Sequence, residues 1–176
     1  FVIGEMNPRA IAMRDKSLAL INETMASSDR LRIAYASKQA RIANAWKKWI
    51  GECKGLERLH AVDTKQAMER KFADLVGKNP DLSGVYGNVL KELESHYAAG
   101  KQYLMARSMF IEFFYTGPEA LRFAAAFAGL ADNYPKLVED GKLADEIRKL
   151  KESTTGFYKN YDPMTDQKIL AALYPM

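Results

Sequence analysis

No stretch of these 176 residues sustains the two-residue alternation, rich in β-branched side chains, that a half-buried strand needs. A sheet is therefore not expected, and the chain carries helix punctuation instead. Asn7-Pro8 reads as an N-cap followed by proline in the first turn of a helix that runs to about Ala26. Ser28 or Asp29 can cap a second helix, to about Gly55. Asp63, with Gln66 three residues on, resembles a capping box for a third that stops near Gly77. A fourth helical stretch is expected from about Leu82 to Tyr115, bent at Gly100. Thr116-Gly-Pro-Glu119 opens a fifth with a capping box and an early proline. Tyr134-Pro135 ends it and starts a sixth, reaching about Tyr161, and Asp162-Pro163 opens a seventh that ends before Pro175. Linkers are short, and no repeat of 20–50 residues is evident. The expectation is one all-α domain over 1–176, an irregular bundle of six or seven helices.

Hydrophobic residues make up 48% and charged residues 27%, which favours a folded chain over a disordered one. The net charge of +4 is spread along the chain, whereas a nucleic-acid footprint is more concentrated. Basic residues do outnumber acids over 30–58, but that segment reads better as a solvated face, so no nucleic-acid partner is expected. No apolar run reaches the ~20 residues that cross a bilayer, so no membrane partner is expected either. The nearest, 103–115, is interrupted by Arg107 and Glu112. The single cysteine, Cys53, cannot form an intrachain disulfide. The chain opens Phe-Val-Ile without an initiator Met or a signal peptide, as expected of a piece excised from a longer protein.

The segment YLMARSMFIEFFY, 103–115, is apolar around most of its circumference and is expected at the centre of the bundle. The alternative is a groove of Met and Phe side chains that takes a partner helix or peptide, in a stand-alone helical scaffold.

The second helix has two contrasting faces. Leu31, Tyr35, Ile42, Trp46, Trp49, Cys53 and Leu56 fall on one stripe, which must be buried, with the tryptophans as packing anchors. Ser37, Arg41, Asn44 and Lys48, spaced 4, 3 and 4 apart, line the opposite side. A solvated face accounts for that row, yet asparagine is a poor choice for a helix interior, costing about half a kcal/mol against alanine.

A catalytic centre is not found within the chain. The two histidines, His60 and His96, stand in no recognisable motif. There is no GxSxG elbow, and DLSGVYG lacks the glycine before its serine. Without HExxH, CxxC or a glycine-rich phosphate loop, neither a metal nor a nucleotide cofactor is expected. The carboxylate pairs Glu92 and Glu94, Glu139-Asp140 and Asp145-Glu146 read as solvated faces.

Several separated blocks nonetheless carry a resemblance. Tyr35-Ala-Ser37, Ala40, Asn44, Lys47-Lys48, Gly51 and Gly55-Leu56 resemble the helical domain of the bacterial serine dipeptidyl-peptidases of the dipeptidyl-peptidase 7 and 11 type. Arg14-Asp15, GPEALRFA from Gly117 to Ala124, and FYKNYDPMTDQKILAAL from Phe157 to Leu173 agree with it, in order, over nearly the whole chain. The resemblance implies a helical cap inserted between the barrels of a chymotrypsin-like double β-barrel peptidase of the Gram-negative periplasm. That enzyme, a homodimer by family habit, removes dipeptides from the free N-termini of oligopeptides. Its Ser, His and Asp lie in the barrels, so the cap's partners are its own barrel domain and the peptide, and the cap alone is inactive. The barrels also set most of the preference at the second substrate residue. By motif, the family asparagine that hydrogen-bonds the substrate α-amino group corresponds to Asn44. Arg41 stands where the family often has glycine; a cation there repels an ammonium group or orders a nearby carboxylate. Substrate contacts are thus expected from Asn44, Arg41 and Lys48.

Overall fold

The structure, a computed structural model, describes residues 8–176, and among these every regular element is helical. Nine α-helices follow one another: α1 (Pro8–Ser27), α2 (Asp29–Arg58), α3 (Ala61–Gly77), α4 (Pro80–Tyr86), α5 (Val89–Phe110), α6 (Glu119–Asp132), α7 (Tyr134–Glu139), α8 (Leu143–Asn160) and α9 (Pro163–Leu173). A single π-helical turn, Ile111–Tyr115, continues α5. Asn7, expected to cap α1, lies outside the described residues.

The chain divides into two compact units. One contains residues 8–46 and 109–176, and in it α1 packs against α9. The buried positions of α1 are Ala10, Met13, Arg14, Ser17, Leu18, Ile21 and Thr24, the three- and four-residue spacing that makes one stripe of a helix. Those of α9 are Thr165, Asp166, Ile169 and Leu173. Met13, Leu18, Ile21, Tyr35, Ile42, Ala43, Ile169 and Leu173 form the core, with Leu31, Trp46, Met109 and Phe113 packed against it. Each large side chain withdrawn from water there contributes roughly 1.5–3 kcal/mol. In the same unit α6 packs on α8 through stacked rings, Phe123 on Phe157 at 4.0 Å and Phe157 on Tyr161 at 4.5 Å.

The other unit covers 47–108 among the described residues and holds the end of α2, α3, α4 and most of α5. Trp49 and Val76 are buried, and α3 packs on α4. The chain turns from α3 into α4 through Asn79, whose side chain accepts from the backbone N–H of Asp81 at 3.0 Å and Leu82 at 3.3 Å, ahead of Pro80.

Several expectations are corrected. The segment 103–115 is not a central helix: Tyr103 is 71% and Phe110 55% exposed, and only Glu112 within it is buried. The fourth stretch is two helices that break at Gly87-Asn88, while Gly100 sits unbroken inside α5. The sixth is likewise two, α7 and α8, divided at Gly141, whose φ of 67° is the left-handed backbone that glycine adopts without strain. Asp63 does not cap α3, which starts at Ala61 after a left-handed His60; the carboxylate instead stands 3.6 Å from the His60 ring. Cys53, placed on the buried stripe, is half-buried.

Thr116 does not cap α6 either. Its hydroxyl turns back to the Glu112 carbonyl at 2.7 Å and the Glu112 carboxylate at 3.0 Å. The π turn thereby carries Glu112 inward, where Arg14 grips it with two parallel bonds, Nε to Oε2 at 2.7 Å and Nη2 to Oε1 at 2.8 Å.

Candidate functional site

In the first unit α2 presents Ser37, Arg41 and Asn44 on its exposed side. Among the described residues the Asn44 amide takes no side-chain hydrogen-bond partner, so its carbonyl oxygen and NH2 are open to a ligand. Lys48, one turn on, belongs to the other unit, where it is exposed and stands 3.8 Å from Glu52. The structure therefore brings Arg41 and Asn44 to one face of one unit.

The opposite side of α2 is locked. Tyr35, Lys38, Ile42 and Ala43 are buried, and Lys38, only 7% exposed, is the cation among them. Its Nζ donates to the Gly117 carbonyl at 3.2 Å, pairs with Glu119 at 3.6 Å and lies 5.8 Å from the centre of the Tyr35 ring. Burial pulls the Lys38 pKa below the ordinary lysine value, and the Glu119 and Asp166 carboxylates oppose that shift. The Tyr35 hydroxyl is buried, approaches the Asp162 backbone and makes no well-formed hydrogen bond. Burial first, then the Glu119 charge, pushes its pKa up.

Gly117 is fixed by close approach. A Cβ there would collide with the Phe113 carbonyl oxygen and press on Leu173 at 3.2 Å. Two residues on, the N-terminus of α6 is capped from a distant element. Asp166 of α9, 4% exposed, accepts from the backbone N–H of Glu119 at 2.5 Å and Ala120 at 3.0 Å. It also receives the Tyr161 hydroxyl at 3.3 Å. Burial and then the Asp166 charge push the Tyr161 pKa up to about 12.

Asp162 caps α9 by accepting from the Thr165 N–H at 2.9 Å and the Thr165 hydroxyl at 2.6 Å, which holds its carboxyl below the ordinary value of 3.8. Thr165 in turn meets Thr24 of α1, hydroxyl to hydroxyl, at 2.8 Å.

The result is a polar nest of Tyr35, Lys38, Gly117, Glu119, Tyr161, Asp162, Thr165 and Asp166. The blocks 35–56, 117–124 and 157–173 that carry the resemblance each send residues into it. Sequence reasoning singled out none of these side chains as a site. One signal was available for Lys38: it stands three residues after Tyr35 and four before Ile42, hence on the apolar stripe itself.

Comparison with known proteins places the chain. The model of the family described as Peptidase S46 matches residues 1–174. The chain belongs to the peptidase S46 family. It is 37% identical over 170 residues to dipeptidyl-peptidase 7 of Porphyromonas gingivalis, covering 97% of this chain and 22% of that protein. It is 32% identical over 181 residues to the Asp/Glu-specific dipeptidyl-peptidase of Flavobacterium psychrophilum, covering 98% of this chain and 24% of that protein. This S46 chain thus spans between a fifth and a quarter of the length of these two relatives. Membership agrees with the resemblance drawn from the sequence blocks, and the all-helical fold agrees with a helical portion of such a protein.

Proposed function

We propose that these helices are the substrate-capping domain of a longer serine-type dipeptidyl-peptidase that releases dipeptides from the free N-termini of oligopeptides in the periplasm. The reacting Ser, His and Asp lie in other parts of that polypeptide, and the isolated chain is inactive. The observation that carries the reading is Asn44: exposed, without an internal partner, and mounted on a helix whose far side is fixed by a buried cation. The S46 membership and the dipeptidyl-peptidase names of the relatives support it.

Chemically, an enzyme that accepts only free N-termini must desolvate an ammonium group and return its hydrogen bonds. A neutral amide oxygen accepts one of them without placing a charge in the cleft. A helix mount holds that oxygen more firmly than a loop. Arg41, one turn away, orders a carboxylate or repels a misplaced amine. The apolar side chains that 47–108 leaves exposed, among them Met68, Leu75, Leu93 and Tyr103, suit contact with the remainder of the longer protein.

The test is Asn44→Ala in the complete polypeptide that contains this chain. Loss of a hydrogen bond to a charged group, about 1.5–3 kcal/mol, lowers kcat/KM roughly 10- to 150-fold on peptides with a free N-terminus. Unchanged dipeptide release by a folded variant refutes the assignment of Asn44.

A further inference from the structure

Resting on the amine-recognition reading of Asn44, we propose that Lys38 is a positioning residue for substrate binding. By pairing with the Gly117 carbonyl and Glu119, it sets the rotation of α2 about its own axis and so fixes where the Asn44 amide points.

Apolar packing alone defines that rotation loosely. Tyr35, Ile42 and Ala43 keep that side of α2 inward, but hydrophobic contact is non-directional and does not tie the helix to one particular partner atom. A buried ammonium group is different. It needs an acceptor and a counter-charge close by, and here the Gly117 carbonyl in the turn before α6 accepts at 3.2 Å and the Glu119 carboxylate, on the first residue of α6, stands 3.6 Å away. A small rotation leaves the charge among apolar side chains with nothing to accept its protons. A buried polar group that specifies register is the best-attested use of such an arrangement.

The partners of Lys38 are themselves immobilised. Gly117 is wedged against Phe113 and Leu173, and the Glu119 backbone is held by Asp166. The chain of constraint therefore runs from α9 through α6 to α2. Other groups bear on the same cation: the Asp166 carboxylate favours the charged form and Arg41 opposes it. Asn44 follows Lys38 by six residues, about 9 Å along the axis and about 240° around it. Moving the Lys38 anchor moves the amide directly, since both sit on one continuous helix.

The experiment uses the complete polypeptide with fluorogenic dipeptidyl amides bearing Leu or Asp at the second position. KM and kcat are measured for Lys38→Met, for Lys38→Met/Glu119→Gln, for Asn44→Ala and for Asn44→Ala/Lys38→Met. Positioning of a binding group predicts a KM raised about tenfold with kcat within about twofold for Lys38→Met. The version that also neutralises Glu119 is expected to do the same, and it carries the measurement if the single variant does not fold. In the Asn44→Ala background the Lys38 change should cost less than about twofold, because the contact it positions is already gone.

An equal cost in both backgrounds, or no cost in either, overturns the proposal while leaving Asn44 in place. So does failure of both Lys38 variants to reach native helicity, which assigns Lys38 to folding alone. A silent Asn44→Ala removes the amine reading and the Lys38 proposal with it, so that the two failures are told apart by the Asn44 variant on its own.

Discussion

The carboxylate of Asp166 caps a helix to which it is not adjacent in sequence: it accepts from the Glu119 backbone N–H at 2.5 Å, 47 residues away. A second bond, from Ala120 at 3.0 Å, completes the cap of α6. The negative charge also faces the positive end of the α6 dipole. Asp166→Ala strands those donors in a buried setting and should lower stability by about 1.5–3 kcal/mol. Urea unfolding followed by circular dichroism measures it. A loss under about half a kcal/mol would show that water replaces the cap.

Arg14 and Glu112 make a second kind of long-range clasp, an ion pair 98 residues apart with both groups buried. Arg14→Met alone leaves an unpaired buried carboxylate and should cost about 3–5 kcal/mol. The double substitution Arg14→Met/Glu112→Leu removes both charges and should recover most of that loss. A double-mutant cycle of unfolding free energies reads the coupling; additive single losses would argue against it.

Gly117→Ala tests the turn before α6. The added methyl group meets the Phe113 carbonyl oxygen, which is backbone and cannot swing aside. A loss of about 1–3 kcal/mol is expected from the forced shift. Gly51, around whose Cβ direction there is open space, serves as the control. Gly51→Ala should be neutral or stabilising by up to about 1 kcal/mol, as for a glycine in a helix interior.

Acid sensitivity should be traceable to Asp162. Its folded pKa is depressed by the Thr165 hydrogen bonds, so the folded state binds fewer protons than the unfolded state below pH 3.8. Its contribution is present above that pH and is lost as pH falls through the depressed value. Asp162→Ala should flatten the acid limb of a stability–pH curve and leave the neutral plateau lower by about 1 kcal/mol of capping, whereas Asp162→Asn should flatten the limb and keep most of the cap. Tyr161 acts at the other end with the opposite sign. Its folded pKa is raised to about 12, so its contribution is complete below pH 10 and disappears as pH rises through that value. Tyr161→Phe should soften the alkaline limb, and an unchanged limb would count against the Asp166 contact.

Parts of this architecture were readable because their causes are local. The cap of α9 by Asp162 and the cap of α2 by Ser28, which receives the Leu31 N–H at 3.2 Å, depend on residues three apart. The break between α4 and α5 had a local signal in Gly87-Asn88, and the break between α7 and α8 had an Asp140-Gly141 turn; both were missed by extending a helical period across them. Thr116 shows the limit of the local rule. It fits a capping box by spacing, but its hydroxyl is taken up by the Glu112 carbonyl and carboxylate of the π turn. The row Ser37, Arg41, Asn44 was legible from helical spacing, whereas its locked underside was not.

The sequence by itself determined that the chain is helical, where most helices begin, and which side of α2 carries Asn44, since these follow from periods and caps a few residues long. Only the tertiary structure decided that α6 is capped by Asp166, that Arg14 closes on Glu112 and that Lys38 is buried against Gly117 and Glu119. Those partners lie 46 to 98 residues apart and meet only after the core has formed, so no local spacing encodes them.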